Sequence, residues 1–133
     1  MIVVDSNIIF SMLLKNNSLF NVLENGEKFI IPKFLFVEIF KYKEKISKYS
    51  KLDEEEIFEV LYEILKNVTI VDDELISNES YKIAYDLVKD IDEKDIVFVA
   101  LCIEFDALLW TGDKKLIKGL KAKKFLNFYK EEL

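Results

Sequence analysis

The sequence predicts an α/β fold, a three-layer α/β/α sandwich around a mainly parallel sheet of four to five strands, in one domain over residues 1–133. Three observations predict it. Short apolar, β-branched or aromatic runs alternate with longer stretches whose apolar residues recur at helical spacing. Strands alternating with helices imply parallel pairing, with helices covering both faces of the sheet. Gly and Pro are scarce, 3 and 1 of 133 residues, while hydrophobic content reaches 51% and charged content 33%, so the chain is helix-rich and globular, neither disordered nor repetitive.

Taken in order, Ile2–Val4 is a short β-branched strand, and Ser6 and Asn7 are N-cap residues for a helix carrying Ile8, Ile9, Met12 and Leu13. Asn25-Gly26 is a stop-and-turn signal before a second strand, Phe29–Ile31. Pro32 suits the first turn of the helix after it, from about Lys33 to about Tyr49, apolar at first and lysine-rich later. Asp53 caps a helix striped with Ile57, Val60, Leu61, Ile64 and Leu65, and Val68–Val71 is the third strand. Ser77 or Asn78 begins a helix with Ile83, Ala84, Leu87 and Val88 on one face. Asp92 caps the next, Asp95–Glu104, whose apolar run Ile96–Ile103 has no polar face and must be buried on most sides. Ala107–Trp110 is the fourth strand, Lys114–Lys121 a short helix and Phe125–Tyr129 a last strand.

Composition then narrows the chemistry. Cys102 is the only cysteine and lies in an apolar run, so it reads as a buried structural thiol in a reducing compartment. Histidine is absent, which removes His-based triads, His-rich zinc sites and the usual neutral-pH general base. No apolar stretch reaches membrane-spanning length and no basic leader precedes the first strand, so the expectation is a soluble cytoplasmic protein. A net charge of −6 argues against a generally basic nucleic-acid surface but leaves room for local patches.

Two acids stand out. Asp5 ends the run Met1–Val4, and Asp113 comes after Ala107–Trp110 and Thr111-Gly112. In open parallel sheets ligands bind outside the carboxyl ends of the strands, so these residues can meet there. Glu38 is the only charge in Phe34–Phe40, and Asp95 lies three residues beyond Asp92 at the head of the apolar helix. Each acid has a structural explanation when taken singly: Asp5, Asp92 and Asp113 as caps, Asp95 as a first-turn acid favoured by the helix dipole, Glu38 as a solvent-facing or Lys41-paired residue. Taken together they describe carboxylates gathered without basic partners, which protons or a metal must neutralise. Oxygen donors without His or Cys select Mg²⁺ or Mn²⁺.

These residues carry a family resemblance. Val3-Val4-Asp5-Ser6-Asn7, Glu38 in an apolar helix, Asp92-Glu-Lys-Asp95-Ile-Val-Phe-Val-Ala-Leu and Leu-Trp-Thr111-Gly-Asp113-Lys-Lys-Leu resemble a PIN domain, over nearly the whole chain and in the family's order. The second pair of motifs is similar to stand-alone prokaryotic PIN proteins, the VapC-like ribonucleases. The resemblance implies that Asp5, Glu38, Asp95 and Asp113 form the catalytic acidic quartet binding Mg²⁺ or Mn²⁺. Asn7 and Thr111 would orient the carboxylates, with Asp92 either a rim acid or only a cap. It implies RNA hydrolysis by metal-activated water, leaving a 5′-phosphate and a 3′-hydroxyl, in a protein of the kind often held inactive by a small antitoxin and often dimeric. One or two ions would clamp the reacting phosphate.

Lysines placed after the acids, including Lys41, Lys114 and Lys115, suit phosphates flanking the cut, although a solvated helix face explains them equally well. Phe36, Phe40, Tyr42 and Tyr49 read as core or interface. Two other functions compete: an interaction module of the same fold without catalysis, and a phosphotransfer domain with Asp5 as nucleophile. The second fits poorly, because Asp5-Ser6-Asn7 lacks the second acid of Asp-x-Asp and leaves Glu38 without a role.

Overall fold

The computed structural model describes residues 1–15, 19–23 and 26–129. Its elements in chain order are β1 (Ile2–Val4), α1 (Ser6–Lys15), α2 (Leu19–Val22), β2 (Phe29–Pro32), α3 (Phe34–Tyr49), α4 (Glu54–Asn67), β3 (Val68–Val71), α5 (Asn78–Val88), α6 (Ile96–Phe105), β4 (Leu108–Trp110) and α7 (Lys114–Ala122). The four strands pair in parallel in the order β3-β2-β1-β4. Helices flank this sheet: α1 packs against α3 and α4, while α6 packs against β1, β2 and β4 and carries α5, which also meets α7.

Burial explains the strand sequences. β1 is central and wholly buried, so Ile-Val-Val shows no polar alternation. β3 lies at the edge, and there Thr69 and Ile70 are exposed. α6 is buried over Phe98–Cys102 and ends at Asp106, whose left-handed backbone (φ 50°) lets its N–H reach the carbonyls of Cys102 and Ile103 before the chain turns into β4. Gly26 takes φ 82°, the left-handed conformation a tight turn before β2 requires; its predicted turn partner Asn25 lies outside the described residues.

Local chemistry moved several boundaries. α1 starts at Ser6, and Asp5 supplies the carbonyl that accepts from Ile8 N at 3.1 Å, so Ser6 and Asn7 lie inside the helix instead of capping it. Pro32 is the last residue of β2, in register with Val71, because a proline at a strand end loses no required ladder bond. Asp92 caps a 3₁₀ turn, Glu93–Asp95, and the α-helix proper begins at Ile96. The expected fifth strand reduces to a single parallel bridge, Leu109↔Phe128, among the described residues. That tail is anchored by aromatic packing instead: the Tyr129 ring lies 5.5 Å from Trp110 and 6.0 Å from Phe29. Phe40 and Tyr49 are exposed (71% and 65%), so neither belongs to the core, whereas Phe36 and Tyr42 pack partly against it.

The start of α3 sets the position of Glu38, which sits one turn inside the helix. Lys33 precedes the helix and offers no side-chain cap. Asp73, in the 3₁₀ turn after β3, supplies one from a distance in sequence: its carboxylate accepts from Phe34 N at 3.1 and 3.4 Å, while Lys33 N donates to Val71 O at 2.8 Å. Asp73→Ala should lower stability by about 1 kcal/mol, as loss of an N-cap does, and Asp73→Asn should keep most of it. Urea denaturation measures both; an Ala variant with wild-type midpoint would show that α3 does not depend on this cap.

Candidate functional site

Parallel topology decides which side chains meet. β1 and β4 are neighbours in the register Val4↔Trp110, so the next residues, Asp5 and Thr111, stand side by side at the carboxyl edge. Asp5 N donates to Trp110 O at 2.9 Å and extends that pairing by one residue. α3 leaves the same edge from β2 and presents Glu38. α6 precedes the parallel strand β4, so it runs antiparallel to it and brings its amino end, with Asp95, to this edge as well.

A hydrogen-bond lattice ties the two strand ends. Thr111 Oγ1 donates to Asp5 Oδ2 at 2.7 Å and accepts from Asn7 Nδ2 at 3.3 Å and from Asp113 N at 3.1 Å. One hydroxyl thereby uses its single donor and both lone pairs. Gly112 N donates to Asn7 Oδ1 at 3.2 Å, which closes the lattice. Asp5, only 2% exposed, also accepts from Ser6 N at 2.8 Å. Asp113 caps α7 by accepting from Leu116 N at 3.0 Å.

Electrostatics couple the acids. Burial pushes the Asp5 carboxyl upward; its bond from Thr111 works against this, and Asp113 adds repulsion. Glu38 is pushed up to about 7, first by burial and then by Asp5, with the Ser6 side chain, Lys41 and Lys94 partly offsetting. Asp95 also rises to about 7, again first by burial, then by the charges of Asp5, Asp92, Asp113 and Glu38. Asp95 thus feels every other acid of the group. Its Oδ2 and Glu38 Oε1 are buried without a hydrogen-bond partner, among the described residues. Asp95 occupies the cap position of α6 yet makes no capping bond, while Asp92 is exposed and does cap, accepting from Lys94 N at 3.0 Å. Glu38 makes no ion pair with Lys41 among the described residues. Lys41, Lys114 and Lys115 are all exposed.

Residues 3–131 match the PIN domain family. The chain belongs to the PIN domain family. Among solved structures it is similar to a chain of VapBC2 from Rickettsia felis, solved bound to a DNA fragment from their promoter: 21% identity, TM-score 0.66, and 96% of each chain covered. At that identity the likeness is one of fold. No curated protein matches.

Ser6 and Lys94 belong to the surroundings of the acids in this PIN chain, and the sequence alone revealed neither role. Ser6 was readable only as a helix cap, although its place directly after Asp5 is a signal. Lys94 lies between two acids, where its charge reads as ordinary surface. Among the described residues, no group of three His, Cys, Asp or Glu side chains already stands in position to hold a metal ion. Mutually repelling carboxylates are expected to stand apart until a cation draws them together. All-oxygen donors, two of them buried and unpartnered, fit a hard divalent cation.

Thr111→Val should cost roughly 1–3 kcal/mol in chemical denaturation by stranding Asp5, and Thr111→Ser should restore most of it; equal stability of Val and Ser variants would deny the hydroxyl this role. Asp95 holds its proton in the folded chain up to about pH 7 and releases it near pH 4 when unfolded. The folded state therefore binds more protons between those values, and its stability falls as pH rises through them. In EDTA, Asp95→Asn should be the more stable protein at pH 8, with the difference vanishing below about pH 4. A constant difference across that range would contradict the burial of this carboxyl.

Proposed function

We propose that this protein is a Mg²⁺- or Mn²⁺-dependent endoribonuclease in which Asp5, Glu38, Asp95 and Asp113 form the catalytic and metal-binding set. The observation that carries the proposal is the coupling of Asp95 to the other three acids, with partnerless oxygens on Asp95 and Glu38. Bound there, a divalent ion would supply charge neutralisation at the phosphodiester and a water acidic enough to attack it without a histidine. The chain's own residues do the positioning. Thr111 and Asn7 hold Asp5 and the backbone of Asp113, and Ser6 links Asp5 to Glu38. Asp92 stays on the rim as a cap. Lys41, Lys114 and Lys115, exposed beside the acids, take phosphates of the RNA on either side of the cut. Asp5 is a poor nucleophile for phosphotransfer, because both its oxygens already accept hydrogen bonds in a buried place.

The VapC-like fold supports a role as the toxin of a toxin–antitoxin pair, acting in the cytoplasm. Val37 and Phe40, 59% and 71% exposed on α3, suit contact with a small antitoxin or a second copy of the chain. No helix among the described residues is long and apolar enough to cross a membrane.

The test is cleavage of a labelled RNA with Mg²⁺ or Mn²⁺ and with EDTA. Asp5→Asn and Asp113→Asn should each lower the rate by more than about 100-fold, since loss of even an outer metal-site partner costs 10–100-fold. Cleavage that survives EDTA and both substitutions rejects the mechanism. No cleavage by the wild type under any metal favours an interaction module.

A further inference from the structure

Beside α7 lies a cleft of which the proposed function uses only Lys115. Its volume is about 360 Å³, within the ~300–1,000 Å³ of small-molecule sites. Ile91, Gly119 and Ala122 make an apolar floor, and Lys115 and Lys118 stand on its rim. Gly119 is needed for that floor: a Cβ there would come 2.4 Å from Ile91 Cδ1, so the bare helix backbone is what lets Ile91 lie against α7.

Charge in the cleft is one-sided. Asp90 is the one acid lining it, and Lys123 binds that carboxylate while also donating to Asp86 O at 2.8 Å and Leu87 O at 3.0 Å. Lys115 and Lys118 are exposed and join no ion pair among the described residues, so they offer two positive charges above an apolar surface. An anion with a flat apolar portion fits that combination. Both walls also lead to the acids: Asp113 caps α7, and Ile91 directly precedes Asp92. Lys118 is five residues beyond Asp113, or ~7.5 Å of helix at 1.5 Å per residue.

We propose that this cleft is a nucleotide subsite, seating one base of a single-stranded RNA on Ile91, Gly119 and Ala122 and its phosphate between Lys115 and Lys118. The subsite rests on the ribonuclease reading for its purpose, but its occupancy requires no metal and can be tested apart from cleavage. Apolar burial of a base face leaves its hydrogen-bonding edges unread, and the lysines act as point charges on the backbone.

The experiment is an amide NMR titration of the full chain in EDTA with adenosine 5′-monophosphate, and in parallel with ribose 5-phosphate. The nucleotide should shift the amides of Ile91, Lys118, Gly119 and Ala122 and bind more tightly than the sugar phosphate. Lys118→Glu should weaken nucleotide binding about fivefold or more, as when an exposed ion pair becomes a repulsion, while Lys118→Arg keeps it. The same charge change at remote Lys66 should leave it unaltered. Absence of shifts in the cleft, equal binding of ribose 5-phosphate, or equal weakening by Lys66→Glu overturns the subsite. Cleavage of RNA with no nucleotide in the cleft sinks the subsite alone; nucleotide in the cleft without any cleavage supports it and sinks the ribonuclease reading.

Discussion

Everything at the carboxyl edge of the sheet stems from like charges held close in a place that water only partly reaches. Asp5 is buried at the end of the central strand, and its position is set by parallel pairing of β1 with β4. Burial and mutual repulsion push Asp5, Glu38 and Asp95 the same way, toward the protonated form. Such an arrangement costs folding stability. Under the proposed function a cation would remove that cost, so the stability of the fold and the proposed chemistry meet in one set of oxygens.

The edge is rigid on one side and adjustable on the other. Thr111 Oγ1 ties Asp5 and the Asp113 backbone together, and Asn7 closes the link to Gly112. Glu38 is held more lightly, through the Ser6 side chain, and Asp95 takes no capping bond; each keeps a buried oxygen without a partner. Their backbones are nevertheless well placed, Glu38 by the cap that Asp73 gives α3 and Asp95 by the turn that Asp92 closes. Two carboxylates fixed by Thr111 and two with an unpartnered oxygen suit the proposed metal-dependent reading. The exposed lysines of α7 follow Asp113, so an acidic chain still carries local positive charge beside this edge.

Much of this was legible in order along the chain. The four strands, the Asp53 and Ser77 caps and the buried α6 could be read because each depends on residues within a turn or two of one another. Failures came where distant partners intervene. Phe125–Tyr129 has strand-like composition, yet packing against Trp110 and Phe29 holds it with one bridge instead of a ladder. Pro32 reads as a helix start and ends a strand because Val71 pairs beside it. Phe40 and Tyr49 read as core or interface, and the core option falls because α3 turns only one flank toward α1.

By itself the sequence determined the alternation of strands and helices, the lack of histidine, and the presence of acids just past apolar runs. Local periodicity and residue chemistry carry those facts. Only tertiary structure decided that Asp92 is a cap and Asp95 is not, that Thr111 saturates its hydroxyl between two strand ends, and that Ser6 and Lys94 border Glu38. Capping and coordination use the same residue types at the same positions, so composition cannot separate them. The separation comes from which neighbours, remote in the chain, arrive to share the space.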